Sequence, residues 1–234
     1  MIHFIFHLIY SLSLRGYKNL LIELFKTFVL YLVLICFFPL SISTSSEILY
    51  MLTIPISCVV ILFIIILNIS SLMNFQLTWE FIQLNKFTNF KNSLYRDLST
   101  DWILINILSL WFIICSSLFF GFPLGLLLLQ QEVTLNLAIV KVFFVLSLWI
   151  LNQLFIISIG FAILGSLQKP FSLSCLISFP ISIPFLLHIV ELVHHINLGI
   201  DSYKEFMILI LMSLIHLVMT PKIISFFINN LSKD

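Results

Sequence analysis

The chain is 234 residues long, 61% hydrophobic and 9% charged, with a net charge of +1 at pH 7. Soluble domains carry about 25% charged residues, so this composition cannot supply a water-facing surface, and its near-neutral balance offers nucleic acid no basic field. What remains is an all-α integral membrane protein, a single domain over 1–234 in which six spans of about 20 residues use up most of the length.

Residues 1–27 form a half-apolar prelude in which Arg15 and Lys18 sit near Leu20, Leu21 and Leu24, the pattern of a segment lying in the interface plane. Met1 to Leu14 has neither a basic start nor a small-residue cleavage site, so no signal or transit peptide is expected there. Apolar runs bounded by charges and turn formers then place the first span at 28–43 and the second at 50–73. The segment 74–101 is the one long polar loop. In it Trp79, Phe81, Ile82 and Leu84 alternate with Gln76, Glu80, Gln83 and Lys86. That reads either as a short amphipathic helix along the membrane that docks a soluble partner, or as a solvated connector with aromatic anchors.

The third and fourth spans, at 102–129 and 135–164, exceed the bilayer thickness and should tilt or protrude. Asn152 and Gln153 lie mid-span in the fourth. Amides in lipid usually bridge helices; the alternative is the wall of a conduit. The fifth span, 172–193, carries Pro180 and Pro184, each of which removes one backbone donor and favours a kink. It is expected to leave the bilayer near His188, wetting Glu191, His194 and His195. The sixth span is expected at 206–228.

Nine of the eleven basic residues fall on one side of these spans, Lys141 and Lys204 on the other. The positive-inside rule therefore puts both termini and the 74–101 loop on the side of synthesis, cytoplasm or mitochondrial matrix. The 25 phenylalanines, and alanine only at 138 and 162, suit an AT-rich genome. An organelle-encoded protein of the mitochondrial inner membrane fits that skew, and a bacterial inner membrane is the alternative.

Little catalytic chemistry is written here. No G-x-x-x-x-G-K-[ST] cradle occurs, so ATP, if used, must be hydrolysed on another chain. Cys36, Cys58, Cys115 and Cys175 stand singly, without the spacing of a redox pair or zinc knuckle. His188, Glu191 and His195 share a helix face at i, i+3 and i+7, and Glu191-x-x-His194 has the spacing used in di-iron bundles. No second E-x-x-H and no H-E-x-x-H accompany them, and no metal or cofactor is expected on this chain.

Four stretches resemble, in order and spacing, the CcmB family, the membrane subunits of the cytochrome c maturation ABC transporter. They are "FFPLSI" (Phe37–Ile42), "FFGFPLGLLLLQQ" (Phe119–Gln131), "GSLQKPFSLSCLISFPISIPFLL" (Gly165–Leu187) and "TPKIISFFI" (Thr220–Ile228). The resemblance implies a six-helix permease of the ABC-2 exporter type. It implies two copies with two ATPase subunits, a haem-handling membrane subunit and a small single-span subunit, and haem as cargo. The family's coupling helix usually carries aspartate-glycine-x-leucine-glutamate. Here the nearest stretch is "TWEFIQL" (Thr78–Leu84), without the Asp-Gly pair, and Thr78, Trp79, Phe81, Gln83 and Leu84 would hold the coupling positions. Two other readings stand beside this one: a structural membrane subunit of a respiratory or assembly complex, and a membrane metalloenzyme using His188, Glu191 and His195.

Overall fold

The computed structural model describes residues 17–41, 55–68, 93–128, 137–166, 172–200 and 202–231. These form six helices, and no strand occurs among the described residues. They are α1 (Tyr17–Ser41), α2 (Pro55–Asn68), α3 (Ser93–Leu128), α4 (Leu137–Ser166), α5 (Ser172–Leu198) and α6 (Tyr203–Leu231). Three contain stretches long and apolar enough to cross a membrane: Ile107–Leu124, Val140–Gly160 and Tyr203–Phe227.

Two expected boundaries need correction. α1 begins at Tyr17 and passes without a break through position 28, where the first span was expected to start. α3 begins at Ser93, so the last part of the 74–101 segment is helix, not loop. The cause is common to both. Hydropathy marks where a helix meets lipid, whereas backbone hydrogen bonds continue into the polar ends. At 36 residues, α3 is about 54 Å long, well beyond a hydrocarbon core of about 30 Å.

Side-chain contacts set the helix directions. The Trp111 indole N–H donates to the Ser147 carbonyl at 2.7 Å, and Phe119 meets Phe143 edge to face at 5.4 Å, so α3 and α4 run antiparallel. Phe144 lies 5.9 Å from Phe206 and Asn152 bonds Ser213, so α4 and α6 run in the same sense. α1 also follows α3. The Ser117 hydroxyl shares its proton between the Leu24 carbonyl (3.0 Å) and its own Ile113 carbonyl (2.9 Å), and Gly121, further along, lies under Tyr31. The Tyr31 ring is buried in one apolar cluster with Ile56, Cys58 and Ile61 of α2.

α4 is predominantly apolar and enclosed by its neighbours. Its membrane-length stretch is 78% buried, whereas that of α6 is 28% buried. α6 accordingly presents Met207, Leu211, Leu214, Val218 and Phe226 outward. An apolar face of that extent is costly in water and suits a bilayer.

Candidate functional site

Two amide side chains are buried side by side midway along α4. Asn152 and Gln153 are both fully buried there. The Asn152 amide N–H groups donate to the Leu148 carbonyl one turn back (3.1 Å) and to the Ser213 hydroxyl of α6 (2.8 Å). That hydroxyl in turn donates to the Leu209 carbonyl at 2.9 Å. The Asn152 carbonyl oxygen lies 2.7 Å from Nδ1 of His216. Because an amide oxygen only accepts, Nδ1 carries the proton, and in the neutral ring Nε2 is left with its lone pair. The chain of donors therefore runs from His216 to Asn152, to Ser213, to the backbone of α6.

Gln153 differs completely from its neighbour. Neither its amide nitrogen nor its oxygen has a hydrogen-bond partner among the described residues, and the same holds for the buried Trp149 Nε1 one turn earlier and the Thr220 hydroxyl on α6. Buried polar atoms are nearly always paired, and each orphan asks for a bound water, ion or ligand. Phe155 of α4 and Phe185 of α5 pack on the His216 ring, each with centroids 6.3 Å away. His188 follows Phe185 by three residues, about 4.5 Å along the axis, and its buried Nε2 is also unpartnered.

α5 continues as a helix to Leu198, and Glu191 and His194 near its end are exposed. Pro180 and Pro184 are exposed and lie within one continuous helix, with the buried Ser182 between them. Each proline leaves a carbonyl one turn back without its helical donor.

His188, Glu191 and His195 do not converge. His188 and His195 are separated by about 10.5 Å along one helix axis, too far to ligate one ion, and Glu191 is exposed. Among the described residues no three His, Cys, Asp or Glu side chains come together as a metal site. Thr78, Trp79, Phe81, Gln83 and Leu84, the expected coupling residues, lie outside the described residues.

Ser213, His216 and Thr220 were not singled out from the sequence. The signal was present: a polar stripe at i, i+3 and i+7 on an otherwise apolar helix, the spacing of one face. The arrangement braces α4 against α6 and offers unsatisfied donors and acceptors beside the brace. It does not activate a nucleophile, because Ser213 gives its proton to a backbone carbonyl and not to His216.

No model of a known protein family matches the chain, and no curated protein matches it significantly.

Proposed function

We propose that this chain is the permease-type subunit of an ABC transporter required for cytochrome c maturation, coupling ATP hydrolysis on a partner subunit to haem export or hand-over. The observation that carries the reading is the ordered series of proline-bearing motifs. They fall in the last turn of α1 (Pro39), late in α3 (Pro123), within α5 (Pro180 and Pro184) and within α6 (Pro221). The helix directions support it. α1 follows α3, and α3 to α6 alternate, which suits six spans with both chain ends on the cytoplasmic or matrix side. The remaining parts are proposals of the same kind: a homodimer in the mitochondrial inner membrane, with an ATPase, a haem-handling membrane subunit and a small single-span subunit. A bacterial inner membrane is the alternative setting.

Residues 74–86 are the proposed ATPase contact. Trp79→Asp with Phe81→Asp is expected to abolish co-purification of the ATPase while leaving the chain in the membrane. Unchanged recovery of the ATPase would defeat the coupling assignment.

A second reading is a structural membrane subunit without transport. It is favoured by the loop that lacks Asp-Gly and by the use of Asn152 as a fixed brace. Stoichiometric recovery with a respiratory or assembly complex, and no nucleotide-binding neighbour, would establish it.

A further inference from the structure

A cleft of about 450 Å³ opens where α5 turns into α6 beside the start of α4. α5 ends in a hydrogen-bonded cap. Gly199 has φ +68°, its N–H donates to the Ile196 carbonyl at 3.2 Å, and the Ile200 N–H donates to the His195 carbonyl at 3.0 Å. This is a Schellman closure, which caps α5 and fixes the mouth of the cleft. Phe144, Ile196, Ile200 and Phe206 form apolar walls, and Lys141 and Tyr203 bring polar groups.

Two features converge on one ligand class. Lys141 is exposed and has no ion-pair or hydrogen-bond partner among the described residues. The membrane-length stretches of α4 and α6 begin at Val140 and Tyr203, so the cleft lies at the edge of the hydrocarbon. A free anion would engage Lys141 and leave the walls bare; an apolar molecule would do the reverse. A single molecule that satisfies both has a phosphate and an acyl chain. From the cleft, the exposed Phe144, Met207 and Leu211 continue the apolar track along α4 and α6.

We propose that this cleft is a site for an anionic phospholipid, with its headgroup phosphate on Lys141 and an acyl chain between α4 and α6. The site rests on the membrane reading of these helices and not on ATPase coupling.

The test is native mass spectrometry of the full chain released from vesicles of equal phosphatidylglycerol and phosphatidylcholine. Wild-type protein should retain phosphatidylglycerol preferentially. Lys141→Ala should lower that retention about fivefold, the worth of one lysine at an anionic surface, and Lys141→Arg should keep it. Lys222→Ala, at an exposed position on the other half of α6, should also keep it. Two acids adjoin the wall in sequence: Asp201 beside Ile200, and Glu205 beside Phe206, whose Oε2 is buried without a partner among the described residues. Asp201→Asn should leave retention equal or higher, and a fall would overturn the site. Equal retention of both lipids by the wild type, an unchanged Lys141→Ala, or displacement by millimolar inorganic phosphate would each overturn it too. Flotation with the vesicles separates the two levels. A chain that does not float defeats the membrane reading, whereas one that floats without lipid preference defeats only this site.

Discussion

Asn152 and Gln153 are adjacent, equally buried and chemically alike, yet they should respond oppositely to the same substitution. Asn152→Leu removes three hydrogen bonds and strands Ser213 and His216. Interhelical bonds in lipid are worth about 0.6–2 kcal/mol, so unfolding of the solubilised chain should be easier by about 1–2 kcal/mol. Gln153→Leu removes an amide that has no partner, and exchanging an unsatisfied polar group for an apolar one is near neutral or stabilising. Equilibrium unfolding in mixed micelles distinguishes the two, and equal losses would refute the brace. If Gln153→Leu keeps stability but abolishes the proposed transport function, the orphan amide serves a ligand. At this scale the sequence was partly legible. Two amides amid apolar residues announced a buried polar site, but their partners lie 61 and 64 residues away, and no local pattern says which amide will find one.

Helices α3 to α6 lie close to where apolar runs placed them, because a bilayer-length run of large apolar residues has few other ways to satisfy its backbone. The helices extend past the expected spans at Tyr17, Ser93 and Leu198, because backbone hydrogen bonding continues into the polar ends. Contacts between helices were not readable in advance. Gly121 is the instructive position. A Cβ there would stand 3.0 Å from Cδ1 of Tyr31, whose ring is fully buried. In an open helix Gly→Ala would gain about 0.5–1 kcal/mol. Here overpacking, costing about 1–3 kcal/mol, should prevail, so Gly121→Ala is expected to be destabilising. Adding Tyr31→Leu should recover part of the loss, a coupling that a double-mutant cycle measures. Additive losses would show that α1 and α3 do not meet there.

For the molecule as a whole, helix directions suit two chain ends on one side of a bilayer, and the proposed topology puts that side at the matrix or cytoplasm by its charge bias. Cysteines replacing Lys18 and Lys233 should both react with a membrane-impermeant maleimide applied from the matrix or cytoplasmic face, and one replacing Lys204 only from the other. Labelling of the two ends from different faces would refute an even number of spans. Composition made the long apolar helices legible at once, and three of them are long and apolar enough to cross a membrane.

The bond between α4 and α6 also has a history within each molecule. Ribosomes add about 5–20 residues per second, so Asn152 is made roughly 3 to 13 seconds before Ser213 and His216 exist. Through that interval the Asn152 amide has only the Leu148 carbonyl of its own helix, so the bond that joins α4 to α6 can close only after the last helix has been made.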